Sequence, residues 1–339
     1  MSAKERLYSL IDSTKLGRAA LEARRSYRHY RIPAQQIKSC GFTFVDRQKG
    51  SENLCIILAG YKEPLWDEVF KRIALFAPED IDICIMTSGL RNESLMAVAE
   101  EHGWSYLATE INHLSHIQNK AIELHPQAQW IYKLDEDMFI PQGFFEALRQ
   151  TYDTVEKNSP YVPAFVSPLI NVNCFGYVRL LEKCDLLDDF RATGLAPAKV
   201  TDGLHHNQVV LEDPAIAKYL WGATQPKLRD IDALTAEFSS EPLAYSICPV
   251  RFSIGAILFT REAWKLFEGF PITFVGSKFG LGDDEEHICH FAHFTGRVIV
   301  VCENIAVGHL GYGPQTKAML DYYLEHKDRF ALSPANDER

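Results

Sequence analysis

The chain has 339 residues, of which 47% are hydrophobic and 24% charged, enough for one large or two ordinary domains with a sizeable buried core. Its net charge is −10, but residues 1–50 hold 11 basic and 4 acidic side chains, or +7, which leaves −17 for the remainder. That acidic remainder argues against a nucleic-acid partner, and no apolar run approaches the roughly 20 residues of a membrane-spanning helix.

The cysteines and the N-terminus predict the cellular compartment. The eight cysteines are dispersed without a Cys-x-x-Cys pair, which favours reduced, buried thiols over a disulfide or zinc framework. The first residues contain no signal-peptide h-region, so we expect a cytoplasmic protein that is not integral to the membrane. The basic segment 1–50 either contacts the anionic inner face of the membrane peripherally or forms a solvated helix that docks on the acidic body.

A helix is predicted over residues 3–26 and a connector over 31–50. Beyond them, short apolar runs alternate with amphipathic stretches, which predicts strands at 54–59, 81–86, 106–108 and 130–134 and helices at 66–76, 93–102 and 115–124. This alternation is typical of an α/β fold with a doubly wound, mostly parallel sheet. Ligands of such sheets bind beyond the carboxyl ends of the strands, which places residues 60–63, 87–89 and 135–137 on one rim.

The second half of the chain divides into an irregular and a regular part. Residues 159–247 contain seven prolines and predict an irregular insertion. Order returns with a strand (256–260), a helix (262–267), a glycine-rich loop (276–282), a helix (284–295) and a strand (298–302), before His309 in a turn-rich segment. The predicted organisation is a basic N-terminal helical arm (1–50), a body (51–315) and a C-terminal helix and tail (316–339).

The most specific motif is Asp135-Glu136-Asp137, directly after a predicted strand. Hard divalent cations prefer oxygen ligands, and Mg²⁺ or Mn²⁺ is usually held by one or two carboxylates together with substrate phosphates. An exposed acidic turn is the alternative, but three consecutive acidic residues repel one another unless a cation is present. The motif therefore predicts a metal site that stabilises a diphosphate leaving group.

Two further features carry candidate chemistry. Asp283-Asp284-Glu285-Glu286 opens a predicted helix, where the helix dipole favours acidic residues but accounts for only one or two of the four. A carboxylate at this position is a candidate general base for an acceptor hydroxyl. His309 lies among glycines that let the backbone fold closely around a site, although an isolated histidine is more often structural.

These residues resemble glycosyltransferases of the GT-A fold, and they are most similar to the inverting, family 2-like bacterial glycan synthases over residues 54–148 and 252–314. The resemblance implies a Rossmann-like sheet, with residues 159–247 on the acceptor side. It implies a metal-dependent enzyme with Mn²⁺ or Mg²⁺ as cofactor. Its donor would be a nucleotide-diphosphate sugar such as a UDP-sugar, and its acceptor a glycan or lipid-linked glycan, as in bacterial surface polysaccharide synthesis. Inversion is expected, although retaining enzymes share the fold.

The resemblance also implies roles for individual residues. Donor binding falls on Gly60, Tyr61, Glu63, Thr87, Ser88, Asn119, Lys120, Asp135 and Glu136. Asp137 resembles the direct metal ligand, and His309 lies where some members add a histidine ligand. Asp284 resembles the catalytic base, preceded by Asp283 where the family has glutamate. Thr87 and Ser88 depart from the family, which usually has an acidic residue near the nucleoside, and Asn119 is the only clear match to the Ala-Arg-Asn-x-Gly helix.

Two other functions share part of this pattern. A nucleotidyltransferase that makes activated sugars would have the same sheet and metal, but it would normally carry a glycine-rich, arginine-containing loop where this chain has residues 60–64. A non-catalytic glycan-binding module need not carry the two acidic motifs and His309. His287, His290 and His293 lack the i, i+4 spacing of a zinc site and are predicted to be structural.

Overall fold

The computed structural model describes residues 34–195, 197, 213–272, 282–310 and 315–332. The helix predicted over 3–26, residues 276–281 of the glycine-rich loop and the glycines after His309 lie outside the described residues. In the described part of the chain, no helix is both long and apolar enough to cross a membrane.

Ten strands of the described residues form one sheet: β1 (Phe42–Val45), β2 (Asn53–Leu58), β3 (Ile81–Ser88), β4 (Ser105–Thr109), β5 (Trp130–Asp135), β6 (Met138–Phe139), β7 (Pro163–Ile170), β8 (Tyr245–Cys248), β9 (Ala256–Thr260) and β10 (Val298–His309). Their order is β1-β4-β3-β2-β5-β9-β7-β10-β6, and β8 also pairs with β10. The strands β2 to β5, β7 and β10 share one direction, and the other four run against them. The predicted α/β class with a mostly parallel sheet is confirmed.

The helices of the described residues lie mainly between the strands in sequence: α1 (Ala34–Lys38), α2 (Trp66–Phe76), α3 (Glu93–Glu101), α4 (Leu114–Leu124), α5 (Phe144–Asn158), α6 (Cys174–Lys183), α7 (Leu187–Ala192), α8 (Pro214–Leu220), α9 (Ile231–Ser239), α10 (Arg261–Leu266), α11 (Asp283–Phe294) and α12 (Thr316–Glu325). Short 3₁₀ helices occupy Glu63–Leu65, Pro226–Leu228 and Lys327–Arg329. The helix α2 has the predicted bounds, and the other helices predicted between residues 93 and 295 differ from the structure by one residue at one or both ends.

The core follows from the strand sequences. In β2, Leu54, Cys55, Ile56 and Ile57 are fully buried, which is the continuous apolar pattern of a strand covered on both faces. Each large aliphatic side chain buried in this way contributes about 1.5–3 kcal/mol. The buried central strands therefore provide a rigid base for the polar residues that follow their carboxyl ends.

The described structure differs from the sequence prediction in three places. The connector predicted over 31–50 contains α1 and the edge strand β1, which pairs antiparallel with β4. The insertion predicted to be irregular contains β7, α6 to α9 and β8. Pro163 and Pro168 argue against a strand because proline donates no ladder hydrogen bond, but in β7 each lies next to a register shift of the pairing with β10, where the ladder is irregular.

The third difference concerns β10. The predicted strand ends at residue 302, whereas β10 continues through a register shift between Cys302 and Ala306 to His309. His309 is therefore the last residue of a buried strand and not part of a surface turn. Its side chain position is fixed by the sheet.

Candidate active site

The carboxyl ends of the central strands form one polar rim. Leu58 at the end of β2 pairs with Asp135 in β5 and with Met86 in β3, so Gly60, Thr87 and Asp135 lie at the same edge of the sheet. This placement agrees with the sequence prediction and with the general position of ligands in open α/β sheets.

Asp137 and His309, far apart in sequence, meet at this rim. They are brought together by the antiparallel pairing of His309 with Met138 and by a 3.1 Å hydrogen bond from the Leu310 N–H to the Asp137 carbonyl. The Asp137 Oδ2 atom lies 3.2 Å from His309 Nε2, and both side chains are buried. This contact joins the two residues that the sequence proposes as metal ligands.

The backbone around His309 determines how its ring is presented. The Asn171 side-chain oxygen accepts the His309 N–H at 2.8 Å, and the Trp221 indole donates to the His309 carbonyl at 3.0 Å. His309 Nδ1 lies 3.2 Å from the Val172 carbonyl, which can only accept, so Nδ1 carries a hydrogen. Nε2 therefore faces the Asp137 carboxylate either with a second proton or with a lone pair suited to a cation.

Lys62 is a third member of this cluster that the sequence prediction omitted. Its ammonium forms an ion pair with Asp137 Oδ2 and lies 3.5 Å from the Leu310 carbonyl. Burial alone would raise the pKa of Asp137, but Lys62 and His309 outweigh burial and hold this pKa well below its usual range. Asp137 is therefore an ionised carboxylate at neutral pH.

The donor atoms of Asp137 and His309 fit a divalent cation. Bonds of about 2.1 Å that meet at a right angle place two ligand atoms of an octahedral ion about 3 Å apart, which matches the separation of Oδ2 and Nε2. Within the described residues no group of three or more His, Cys, Asp or Glu side chains converges on one point. A cation held here would depend on water or substrate phosphate oxygens for its remaining ligands.

Glu136 holds the loop that follows β2. Its carboxylate accepts hydrogen bonds from the Gly60 N–H at 2.9 Å, the Tyr61 N–H at 3.0 Å and the Trp66 indole at 2.6 Å. Gly60 has a φ of 141°, a conformation that side chains disfavour, so glycine permits the turn toward Glu136. Glu136 thereby fixes the backbone of the loop that follows β2. Its contact with a nucleotide-sugar donor remains a prediction.

Asp135 is paired with a buried lysine of its own strand. Lys133 Nζ lies 2.6 Å from Asp135 Oδ1. Burial raises the pKa of Asp135, and the nearby charges of Asp137 and Asp284 raise it further, while Lys133 opposes them. The pKa of Asp135 therefore lies above its usual range.

The start of α11 supplies the second acidic group. Asp284 is buried, and its Oδ2 accepts a 2.7 Å hydrogen bond from the Gln118 amide of α4. A Cβ at Gly282 would lie 2.4 Å from Asp284 Oδ1, so a larger residue there would displace this carboxylate. Burial, with Asp284 and Glu286 close by, raises the pKa of Asp283 to about 6. Gln118 was not predicted, since a lone glutamine in an amphipathic helix gives no sequence signal.

The remaining donor residues of the prediction lie in different surroundings. Tyr61 is 66% exposed and its hydroxyl accepts a 3.1 Å hydrogen bond from the Asn112 amide, while Glu63 is exposed at the start of its 3₁₀ helix. Thr87 and Ser88 are buried: Thr87 donates to the Leu90 carbonyl at 2.8 Å, and Ser88 Oγ accepts the His113 N–H at 2.8 Å.

The two predicted residues of α4 face neighbouring parts of the protein. Asn119 accepts hydrogen bonds from the Trp264 indole at 3.0 Å and the Phe270 N–H at 2.9 Å, and its amide donates to the Phe270 carbonyl at 2.7 Å. Lys120 forms a 2.8 Å ion pair with Glu123 and lies over the Phe42 ring of β1. The structure thus gathers Asp135, Asp137, His309 and Asp284 around the rim and leaves Lys120 beside the edge strand.

Comparisons with known proteins add a distant structural likeness. No protein-family model and no curated protein sequence matches the chain. Among solved structures it is similar to the mannosyltransferase PcManGT from Pyrobaculum calidifontis in complex with GDP-Man and Mn²⁺. The identity is 12%, the alignment covers 97% of this chain and 78% of that one, and the TM-score is 0.43. A likeness at this level does not identify a shared function.

Proposed function

We propose that this chain is a metal-dependent glycosyltransferase that moves a sugar from a nucleotide-diphosphate donor to an acceptor hydroxyl. The observation that carries the proposal is the meeting of Asp137 and His309, whose buried side chains lie 3.2 Å apart at the rim where open α/β sheets bind ligands. A carboxylate oxygen and an imidazole nitrogen suit Mn²⁺ better than Mg²⁺, which prefers oxygen ligands alone. When bound, the cation supplies positive charge for the diphosphate leaving group.

The loop after β2 is the proposed nucleotide-binding segment. Glu136 fixes the Gly60 and Tyr61 amides, so the exposed Tyr61 ring stands on an anchored backbone. Its hydroxyl accepts a hydrogen bond from Asn112, and we expect the exposed ring to stack on a nucleobase. We also propose that Glu63, Thr87 and Ser88 lie near the bound nucleotide sugar.

Asp284 is the proposed general base. Its carboxylate lies at the helix start within electrostatic range of Asp135, and Gln118 fixes its orientation. The acceptor oxygen attacks the anomeric carbon as the bond from that carbon to the phosphate oxygen breaks, and Asp284 takes the acceptor's proton. One base on the acceptor side supports direct displacement with inversion, for a glycan or lipid-linked glycan acceptor.

The proposal is tested by screening nucleotide sugars, UDP-sugars first, for hydrolysis and transfer with and without Mn²⁺. Asp284→Asn should lower turnover by about 10²–10⁴-fold while donor affinity changes little, because a positioned base contributes about that much to the rate. Asp321→Asn removes an exposed carboxylate that pairs with Lys317 on α12 and serves as the matched control.

One result would reassign the base, and two others would contradict the proposed function. Wild-type turnover in Asp284→Asn would move the base to Asp283 or Glu286. Nucleotide binding without hydrolysis or transfer would favour a glycan-binding module. Formation of a nucleotide sugar from a nucleoside triphosphate and a sugar phosphate would identify a nucleotidyltransferase.

The peripheral membrane contact proposed for the basic arm rests mainly on residues 1–33, which lie outside the described structure, and remains a prediction.

A further inference from the structure

The Lys62 ammonium and the His309 imidazole face the same carboxylate oxygen of Asp137. The Oδ2 atom that faces His309 Nε2 also forms the ion pair with Lys62 Nζ. The Asp137 side chain is only 3% exposed and that of Lys62 is 23% exposed. A divalent cation on Oδ2 would lie within a few ångströms of the Lys62 ammonium, where like charges repel strongly in a partly buried site. Lys62 and a cation therefore compete for the same position.

Lys62 can leave this position without movement of the loop. The Gly60 and Tyr61 amides are held by Glu136, and the Lys62 carbonyl accepts the Leu65 N–H at 2.9 Å. The backbone on both sides of Lys62 is thus anchored, while the four-carbon side chain ends in a compact point charge that can rotate. Displacement from Asp137 therefore calls for rotation of the side chain and not for movement of this anchored backbone.

We propose that Lys62 is an internal counter-ion of the metal site: a divalent cation displaces its ammonium from Asp137, and the ammonium then binds the diphosphate of the donor. This inference rests on the proposed function, since it takes the cation and the diphosphate as ligands of the same rim. A lysine tethered beside a metal-bound diphosphate is an effective phosphate ligand. Before the cation binds, the ion pair compensates the buried charge of Asp137, which would otherwise be costly.

The proposal predicts opposite effects of Lys62→Met on two ligands. Titrated with Mn²⁺ alone, the variant should bind about five- to tenfold more tightly than wild type, because an occupant that lowers the competent fraction of the site has been removed. Titrated with UDP or GDP at saturating Mn²⁺, it should bind the nucleotide about tenfold more weakly, because a charge-assisted phosphate contact is lost. If Lys62 were only structural, its replacement would not strengthen Mn²⁺ binding while weakening nucleotide binding.

The experiment is calorimetric titration of the full chain after chelator treatment, accompanied by thermal unfolding with and without Mn²⁺. Lys62→Met should unfold at a lower temperature in chelator and gain more stability from Mn²⁺ than wild type. Lys62→Arg keeps the charge and the fold, so it should retain weak, wild-type-like Mn²⁺ binding and remains informative if Lys62→Met does not fold. Lys183→Met removes another partly buried lysine, one that pairs with Glu241, and should change none of these values.

The outcomes separate this inference from the proposed function. Unchanged or weaker Mn²⁺ binding by a folded Lys62→Met, while the wild type binds Mn²⁺, overturns the Lys62 inference alone. Tighter binding by Lys62→Arg, comparable to that of a lysine-free site, also overturns it. Absence of Mn²⁺ binding in every form overturns both the inference and the metal dependence of the proposed function.

Discussion

At the scale of single residues, the chemistry of the rim depends on Asp137, a buried carboxylate that faces both the Lys62 ammonium and the His309 imidazole. An unpaired ionised carboxylate in such surroundings is costly, so its oxygens must be compensated by Lys62, by His309 or by a bound cation. Because the three compensate the same charge, changes at any one of them alter the affinity of the others. Single substitutions in this cluster will therefore not be additive.

Asp137→Ala and His309→Ala test this dependence on Mn²⁺ binding. Each should weaken Mn²⁺ binding by more than about tenfold, since loss of a supporting residue around a metal costs about 10–100-fold and a direct ligand should cost at least as much. The double variant should lose less than the sum of the two losses, because the ligands act as one unit. His287→Ala is the control, since His287 Nε2 of α11 lies 2.8 Å from the carbonyl of Phe267, the residue directly after α10. Additive losses, or a His309 variant with wild-type affinity, would remove His309 from the site.

At the scale of elements, the rim is built by three local structures: the loop after β2, the β6–β10 pairing and the start of α11. The acidic motifs predicted from the sequence lie at strand and helix ends, where periodicity changes abruptly and a pattern is informative. Lys62 and Gln118 gave no such pattern, because their roles depend on contacts with Asp137 and Asp284 from distant parts of the chain. The position of His309 depended on a strand whose register shift hides its length in the sequence.

The fold, like the site, could be predicted only in part from the sequence. Strong apolar runs predicted β2, β3 and β9 and the amphipathic helix α2 closely, because burial and helical periodicity agree there. The strand β7 was hidden by its prolines, and β1 by its length of only four residues at an edge of the sheet, where none of them is fully buried. In both cases tertiary pairing outweighed the local signal, so pattern alone was insufficient.

The acidic start of α11 makes a testable contribution to stability. The pKa of Asp283 is raised to about 6, above its value of 3.8, so the folded state binds a proton more readily than the unfolded chain. The resulting stability is present at low pH and is lost as the pH rises through about 6. Asp283→Asn should therefore stabilise the protein at pH 8, by at most about 1 kcal/mol because the group is partly exposed to solvent.

Denaturant unfolding of Asp283→Asn and wild type at pH 8 and pH 5 measures this effect. The gain should shrink at pH 5, where the wild-type carboxyl is already largely protonated in the folded state. The same variant should keep much of its turnover, because the proposed base is Asp284. An equal gain in the free energy of unfolding at both pH values would show that the charge of Asp283 does not destabilise the folded protein.

At the scale of the whole molecule, the described insertion and C-terminal segment are tied to the first half of the chain by one buried arginine. Arg72 of α2 is 1% exposed and forms a two-bond ion pair with Asp232 of α9, at 2.9 and 3.0 Å. Its other N–H groups donate to Glu68 at 2.8 Å and to the Ile140 and Phe330 carbonyls at 3.2 Å. All five donors of the guanidinium are used, which satisfies a buried charge.

This arginine is connected to the proposed site through α9. Thr235 of α9 exchanges hydrogen bonds with Ala306 of β10, three residues before His309. Phe330, whose carbonyl Arg72 binds, packs against Trp221, and the Trp221 indole donates to the His309 carbonyl. The same network that joins the two halves of the sequence therefore supports the strand end that carries His309.

Arg72→Met should destabilise the folded protein by about 3–5 kcal/mol, because it leaves the buried Asp232 carboxylate without its charge partner and two carbonyls without donors. Arg72→Met combined with Asp232→Leu should recover part of that loss, since an apolar pair avoids the uncompensated charge. Urea unfolding measures both, and Arg191→Met, which removes an exposed ion pair with Asp188, should cost less than about 1 kcal/mol. Mn²⁺ affinity should fall in Arg72→Met under conditions where it is still folded, because α9 supports β10 beside His309. A loss below about 1 kcal/mol would show that other contacts hold the two halves together. Full Mn²⁺ affinity in a strongly destabilised variant would show that other contacts support the site.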